Sequence, residues 1–181
     1  MQLADTRTIA APPAVVWAAL FDPEVLKACV PGCESMTGSP AEGFEAVVVQ
    51  KVGPVKAKFT GVVKLSDIVE GQSCTIGGEG KGGAAGFAKG SARVTLTPQA
   101  TGEGEGTVLA YEVEANVGGK LAQLGSRIID SFARKMADDF FQRFQTALEG
   151  PAEGEAGADG EGEGETTAKK GWFRKLVGGK D

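Results

Sequence analysis

The stretch KLAQLGSRIIDSFARKMADDFFQRFQTAL, residues 120–148, carries the strongest fold signal of this chain. Its large apolar residues recur at every fourth position, close to the 3.6-residue period of an α-helix. We therefore predict one long helix from about Lys120 to Leu148. Because a four-residue repeat exceeds the helical period, the apolar stripe drifts around the helix, and such a stripe suits packing across a twisted sheet. The stripe consists of Leu124, Ile128, Phe132, Met136, Phe140, Phe144 and Leu148.

The residues before this helix predict an antiparallel sheet. Leu3–Ile9 alternates as a first strand, and Pro13 and Asp22 then start two short helices, of which the second ends at Pro31-Gly32. Five further segments, separated by glycine-rich or proline-containing turns, predict strands: Phe44–Val52, Val55–Val69, Ser73–Gly80, Ala88–Thr97 and Thr107–Val117. The order predicts an α+β fold with a curved antiparallel sheet around a long C-terminal helix and two short helices after the first strand.

The segment GEGKGGAAGFAKGS, residues 78–91, has the glycine spacing of a dinucleotide-binding turn. That use requires a helix directly after the glycines, but Ala92–Thr97 alternates as a strand. Lys81 is also not followed by the Ser or Thr that a phosphate-binding loop places after its lysine. We predict a hairpin instead, either simply curved and flexible or placed at the mouth of a cavity between sheet and helix. Its glycines are Gly78, Gly80, Gly82, Gly83 and Gly86.

Composition restricts the classes of function. The chain has 181 residues and a formal net charge of −5, which fits one domain and argues against a general nucleic-acid binder. It contains no histidine, so Ser-His-Asp and Cys-His catalysis are excluded, while carboxylate, lysine or tyrosine chemistry remains open. Three cysteines fit a reduced cytoplasmic protein. We expect neither a signal peptide nor a membrane-spanning helix.

Composition also divides the chain near Gly150. Residues 1–149 predict the folded domain, and residues 150–168, dominated by Gly, Ala, Glu and Asp, predict a disordered acidic linker. Residues 169–181, KKGWFRKLVGGKD, predict a basic amphipathic tail that binds an anionic membrane surface, with docking onto a protein partner as the alternative. The tail residues assigned to membrane binding are Trp172, Phe173, Arg174, Lys175, Leu176 and Val177.

Four segments resemble the CoxG family, which is named for a carbon monoxide dehydrogenase subunit: DPEVLKACVPGCES (22–35), KFTGVVKLSDI (58–68), GEGKGGAAGFAKGSARVTL (78–96) and YEVEANVGGKLAQLGSRIIDSFARKMADDFF (111–141). The resemblance covers roughly residues 1–148. That family belongs to the START/Bet v 1-like, polyketide-cyclase (SRPBCC) superfamily, so the resemblance implies a helix-grip fold with an open hydrophobic cavity between the sheet and the C-terminal helix. It also implies an accessory role to molybdenum hydroxylases, including their attachment to the cytoplasmic membrane.

With that fold implied, we expect the ligand-binding cavity near the start of the long helix, where Gly125 leaves room. Most of the helical stripe is expected to be core. Cys29 and Cys33 lack the spacing of a zinc site, and without histidine we expect no metal. The basic residues Lys81, Lys89, Arg93 and Arg127 are expected in solvent, or as partners of a polar ligand head. The predicted cavity walls are Trp17, Leu20, Leu26, Val30, Phe59, Ile76, Phe87, Leu121, Leu124, Gly125 and Ile128.

These observations support a first hypothesis of a cytoplasmic, non-enzymatic accessory protein without a covalent cofactor. It would tether a molybdenum hydroxylase of the carbon monoxide dehydrogenase type to the inner face of the membrane, and we infer an isoprenoid quinone as its apolar ligand. A second hypothesis is a cyclase or hydrolase on the same fold, with Glu45, Glu112, Tyr111 and Arg127 as candidate polar groups. A third is a general lipid carrier without a redox partner.

Overall fold

Seven strands and one long helix make up most of the computed structural model, which describes residues 1–102 and 104–149. The predicted linker (150–168) and tail (169–181) lie outside the described residues. The predicted order of elements is confirmed apart from one additional strand, and short 3₁₀ turns occupy Gly83–Ala85 and Gly119–Leu124. The strands and helices are β1 Gln2–Ile9, α1 Pro13–Leu20, α2 Pro23–Cys29, β2 Cys33–Ser39, β3 Gly43–Val52, β4 Val55–Val69, β5 Ser73–Lys81, β6 Phe87–Thr101, β7 Gly104–Gly118 and α3 Ser126–Glu149.

The strands form one antiparallel sheet in the order β1-β7-β6-β5-β4-β3-β2. Strands β2 to β7 follow one another as hairpins, and β1 pairs with the last of them. Because side chains alternate along a strand, one face of the sheet carries Val63, Ile76 and Tyr111 toward α3, and the other face points away. Helix α3 lies across this first face, so the predicted α+β helix-grip fold is confirmed.

Local signals fix the two short helices where the sequence placed them. Pro13 occupies the first turn of α1, and the Asp22 carboxylate accepts a hydrogen bond of 2.9 Å from the amide of Glu24 at the start of α2. The buried Thr107 hydroxyl donates to the Ala11 carbonyl over 2.7 Å, which ties the segment before α1 to strand β7. These contacts hold α1 and α2 against one end of the sheet.

Two elements differ from the prediction. Strand β2, CESMTGS, was not predicted because it has few β-branched residues, and only its pairing with β3 makes it an edge strand. The long helix begins at Ser126 rather than near Lys120, because Gly125 has a φ of +93° and interrupts it. A Cβ atom at Gly125 would meet nothing within 4 Å, so this glycine serves the backbone turn and does not make room inside a packed helix.

The apolar core consists of two separate clusters along α3. The larger cluster surrounds the C-terminal half of the helix, where Ile9, Leu109 and Phe144 are fully buried with side chains of α1 and α2. The smaller cluster joins Leu121 and Ile129 to Val52 near the start of α3. The part of the sheet between these clusters carries no large side chain, and this gap positions the candidate site.

Candidate functional site

A floor of small residues occupies the centre of the helix-facing side of the sheet. One row crosses four strands through successive pairs, from Ala46 to Gly61, Gly80 and Ala88. A second pair, Gly78 with Gly90, lies beside it. All of these residues are only half-buried although they face α3. We call this surface the floor, and its residues are Ala46, Gly61, Gly78, Gly80, Ala88, Gly90, Ala92 and Ala115.

The glycines of β4 and β5 mark open space above the floor. A Cβ atom at Gly80 would come no closer than 4.0 Å to another heavy atom, and one at Gly78 would lie 3.5 Å from Val63 Cγ2. Packing therefore does not require glycine at these positions. Gly90 differs, because a Cβ there would overlap the carbonyl oxygen of Glu114 where β6 and β7 bend closely together. Open space therefore lies directly above Gly78 and Gly80 on the face of the sheet toward α3, and we call this space the cleft.

The two apolar clusters close the cleft at its ends. Along β4, Val63 and Leu65 pack against the larger cluster and Phe59 against the smaller one, with Gly61 between them. The same order holds on β7, where Val113 and Val117 flank Ala115. The cleft is therefore lined by small residues at its base and bulky apolar residues at both ends.

The predicted wall residues fall into these two clusters. The larger cluster includes Leu20 as a buried member, with Trp17, Leu26 and Ile76 packed against it. The smaller cluster holds Leu121, with Leu124 and Phe59 packed against it. These residues lie on both sides of the floor rather than around one point near Gly125. Val30, at the end of α2, is half-buried and belongs to neither cluster.

Three predicted wall residues lie outside the cleft. Phe87 is 43% exposed; it alternates with Ala88 on β6 and packs on Gly118, so it faces away from the floor. Ile128 is 39% exposed, and a Cβ atom at Gly53 would lie 3.6 Å from its Cγ2. Gly125 is exposed at the start of α3. Gly125 and Ile128 lie at the end of the sheet because of the turn at Gly125, and Phe87 faces away from the floor because of the register of β6.

The glycine-rich hairpin is present, and β6 follows its glycines where a dinucleotide site needs a helix. Gly78 and Gly80 lie on the floor, whereas Gly82 lies under the ring of Phe59. Gly83 and Gly86 form the turn with φ values of +61° and +114°. Gly86 contacts Gly118 at the start of the connection to α3, so this hairpin turn lies at the end of the sheet where α3 begins.

The polar groups of the cyclase or hydrolase hypothesis are dispersed. Glu45 and Glu112 are exposed on the face away from α3, and Arg127 is exposed at the helix start. Tyr111 faces the helix, where its ring stacks on Phe141 at a centroid distance of 5.1 Å. The described structure therefore does not bring these four side chains together.

Arg7, on the edge strand β1, is held by contacts with strand β7 and helix α3. Arg7 on β1 lies over the ring of Phe141, 5.1 Å from its centroid, and one guanidinium nitrogen is 2.6 Å from Asp138 Oδ1 and 3.4 Å from the Tyr111 hydroxyl. Burial alone would lower the pKa of Arg7, but the hydrogen bonds to Asp138 and Tyr111 outweigh it and raise that pKa. Arg7 thus stays charged and fastens β1 to α3.

The cysteines are placed as packing residues. Cys29 and Cys74 are buried in the larger cluster, and Cys33 is half-buried. Burial raises the pKa of Cys33 above its ordinary value, against a backbone hydrogen bond at Ser35 and the charge of Lys27, and burial likewise raises the pKa of Cys74 against the charge of Arg93. Within residues 1–102 and 104–149, no group of three or more His, Cys, Asp or Glu side chains is arranged to hold a metal.

A cavity of about 600 Å³ lies on the opposite, outer face of the sheet. Six of its nine lining residues are polar or charged, and Arg93 and Glu112 stand directly opposite each other on β6 and β7. Arg93 and Glu112 largely neutralise one another at these paired positions, and Glu114 leaves the lining slightly acidic, so this depression differs from the apolar lining of the cleft. Its lining residues are Gln2, Leu3, Ala4, Thr75, Ser91, Arg93, Glu112, Val113 and Glu114.

The floor was missed by sequence reasoning, although it leaves a signal. Gly78 and Gly80 lie two positions apart on β5, and Ala88, Gly90 and Ala92 recur at every second position on β6. This two-residue period is that of one face of a strand, but a search for large apolar residues does not detect it. That these residues lie on the face of the sheet toward α3 follows only from the pairing of the strands.

Comparisons with known proteins agree with this architecture. A crystallised conserved protein from Geobacillus kaustophilus is 28% identical, with a TM-score of 0.73 over 81% of this chain and 93% of that one. A START superfamily protein from Mycobacterium smegmatis gives a TM-score of 0.60 at 13% identity, covering 82% and 97% of the two chains. A protein from Chromobacterium violaceum gives 0.58 at 17% identity, covering 83% and 99%. The last two likenesses support the fold alone.

Three further observations complete the comparison. No match is found among curated protein sequences. Among the described residues, no helix has the length and apolar character needed to cross a bilayer. Residues 6–149, the greater part of the chain, match the family described as the CoxG subunit of carbon monoxide dehydrogenase. The chain therefore belongs to the CoxG family of carbon monoxide dehydrogenase subunits, with a START-like helix-grip fold.

Proposed function

We propose that this protein is a non-catalytic accessory subunit that holds an apolar ligand in the cleft between α3 and the sheet. The observation that carries this proposal is the floor, where glycines that packing does not require lie between two apolar clusters. A sheet that only had to pack against its helix would be filled there by larger side chains, because interiors are close-packed. The small residues therefore favour a surface that another molecule covers.

The chemistry of the cleft favours an apolar and slender ligand. The floor presents only hydrogen atoms and methyl groups, and its ends present side chains such as Val63, Ile76 and Phe59. Such a lining gains affinity from buried apolar area rather than from hydrogen bonds. An isoprenoid quinone combines a branched apolar chain with a redox-active head, and we propose it as the ligand.

The family assignment supports a partner for this ligand. The family name describes a subunit of carbon monoxide dehydrogenase, and we propose that this chain couples a molybdenum hydroxylase of that type to respiration. Such an enzyme must pass electrons to an acceptor, and a quinone carried in the cleft would link it to the membrane pool. Attachment to the cytoplasmic membrane would use residues 169–181, where Trp172 and Phe173 stand among basic residues.

Purification from the native host tests this proposal. The full chain would be isolated with an affinity tag, and native mass spectrometry with organic extraction would identify any bound molecule and any partner. We expect a quinone in the cleft and molybdopterin, iron–sulfur and flavin subunits in the eluate. A mixture of acyl lipids without hydroxylase subunits would instead favour a general lipid carrier. A ligand-free protein with its own turnover of a cyclisation or hydrolysis substrate would contradict the proposal.

A further inference from the structure

We propose that the end of the domain where α3 begins is a second docking surface, which binds an anionic lipid bilayer independently of residues 169–181. We call it the mouth surface, because the smaller cluster and the cleft end there. It is formed by the β3–β4 turn, the β5–β6 turn and the connection from β7 to α3. This inference goes beyond the proposed function, in which only the tail attaches the chain to the membrane.

The three connections of the mouth surface are in contact. The β3–β4 turn reaches the helix start, since a Cβ atom at Gly53 would lie 3.6 Å from Ile128 Cγ2 and 3.9 Å from the methyl groups of Leu124. The β5–β6 turn reaches the β7–α3 connection where Gly86 meets Gly118. Because the strands are antiparallel hairpins, all three connections lie at the same end of the sheet.

The mouth surface carries an excess of basic residues. Segments 50–60, 80–90 and 115–129 contain no Asp or Glu, although the whole chain has a net charge of −5. Lys58 forms an ion pair of 3.3 Å with Glu34, and Lys89 stands opposite Glu79 on β5. Five other exposed cations make no ion pair with the described residues. These are Lys51, Lys56, Lys81, Lys120 and Arg127.

The opposite end of the sheet has the reverse charge. Its turns, within segments 37–43, 66–73 and 99–106, contain no Lys or Arg but include Glu42, Asp67, Glu70 and Glu105. A molecule polarised in this way orients in the field of an anionic surface with its basic end toward that surface. The charge distribution therefore selects the mouth surface, rather than the domain as a whole, as the part that meets lipid.

Exposed apolar side chains accompany the basic charge. Phe87 is 43% exposed and Ile128 39% exposed, both at the mouth surface. Ile68 and Val69 are also exposed, but at the opposite end, between Asp67 and Glu70, which an anionic bilayer repels. Exposed apolar residues among cations are the combination that inserts into the headgroup region of an anionic membrane. An anionic lipid bilayer matches both features of this end.

The tail does not by itself bring the mouth surface to the membrane. Helix α3 has 24 residues and spans about 36 Å, and its last residue, Glu149, accepts a 2.8 Å hydrogen bond from the Ala10 amide at the acidic end. Residues 150–181 follow Glu149, so membrane binding by the tail does not itself direct the mouth surface to the bilayer, and the basic mouth surface supplies that orientation.

Vesicle binding by the full chain tests the inference. The tail would first be silenced by Trp172→Ser, Phe173→Ser, Leu176→Ser and Val177→Ser. We expect this protein still to co-sediment with phosphatidylglycerol vesicles at low salt and not with phosphatidylcholine vesicles. Adding Lys51→Glu, Lys56→Glu and Lys120→Glu should then weaken binding by at least about 100-fold, since three favourable charges at the surface are removed and reversed.

A control with the same change in net charge separates the mouth surface from general electrostatics. Lys27→Glu, Lys64→Glu and Arg143→Glu alter exposed cations elsewhere on the domain and should weaken binding far less. Phe87→Ser with Ile128→Ser should remove the part of the binding that survives high salt. Unchanged circular dichroism would verify folding in every variant.

Three outcomes would overturn the inference. The tail-silenced chain could fail to bind anionic vesicles, or the mouth and control triples could weaken binding equally. The mouth triple could also keep full vesicle binding while losing capture of the hydroxylase, which would make this end a protein interface. Ligand occupancy by native mass spectrometry is measured separately, so failure here is distinguishable from failure of the proposed ligand-binding function.

Discussion

Filling the floor at Gly80 should eliminate ligand binding without harming the fold. Gly80→Leu adds a side chain on the face toward α3, where a Cβ would be no closer than 4.0 Å to any heavy atom. The backbone of Gly80 is outside the positive-φ region, unlike that of Gly125, where a φ of +93° would strain leucine. Gly80 is therefore the position at which added volume acts on the cleft alone.

The size of the effect follows from the volume that leucine takes from the ligand. Its side chain has four carbon atoms, so it displaces about four methylene groups of an apolar ligand from the floor. At ~0.8 kcal/mol for each buried methylene, the loss is about 3 kcal/mol, or roughly 100-fold in Kd. Stability should not fall, because replacing a strand glycine at a compatible φ reduces the entropy of the unfolded chain.

The matched control is Gly77→Leu on the same strand. Gly77 alternates with Gly78, so its side chain would point away from α3, and its Cβ would lie 3.9 Å from the Lys64 carbonyl oxygen. Both variants would be compared with the wild type by native mass spectrometry of the ligand retained from the host and by titration with the apolar dye anilinonaphthalene sulfonate. Equal binding by Gly80→Leu and Gly77→Leu would rule out the cleft as the binding site.

Three further predictions, with four variants, test the packing of the domain around the cleft. Gly90→Ala should lower stability to urea by about 3 kcal/mol, because its methyl group would overlap the Glu114 carbonyl oxygen; a neutral result would mean that β6 and β7 can separate there. Phe144→Ala should cost ~3–5 kcal/mol at a fully buried position, and a loss below ~1 kcal/mol in thermal unfolding would contradict the larger cluster as the main core. Arg7→Ala should lower the free energy of unfolding by ~2 kcal/mol. The Asp138 side chain is 66% exposed, so Asp138→Asn should lower it by no more than ~1 kcal/mol. Equal losses in urea unfolding would show that the ion pair, rather than the contact with the Phe141 ring, fastens β1.

The location of the cleft connects the two proposals. Its small-residue floor begins next to the larger cluster and runs toward the smaller cluster at the mouth surface. A ligand taken from a bilayer would enter where basic and exposed apolar residues meet lipid. The acidic opposite end, from which residues 150–181 continue, would remain away from the surface.

Local patterns in the amino-acid sequence predicted the order of elements and most of their bounds. The apolar repeat from Leu124 to Leu148 predicted the long helix, and alternation with turn residues predicted β1 and β3 to β7. These signals are local, since helix and strand periods, caps and turns depend on neighbouring residues. The same reasoning placed the helix start near Lys120, because nothing in composition shows that Gly125 adopts a positive φ.

The site depended on contacts between distant segments. Segment 33–39 forms strand β2 only because it pairs with β3. Phe87 lies outside the predicted cavity wall because the register of β6 turns its side chain away from α3. The floor arises where glycines and alanines of several strands come side by side, and the mouth surface arises where three connections distant in sequence meet. Strand pairing and hairpin direction bring these residues together, and both are properties of the assembled sheet rather than of any one segment.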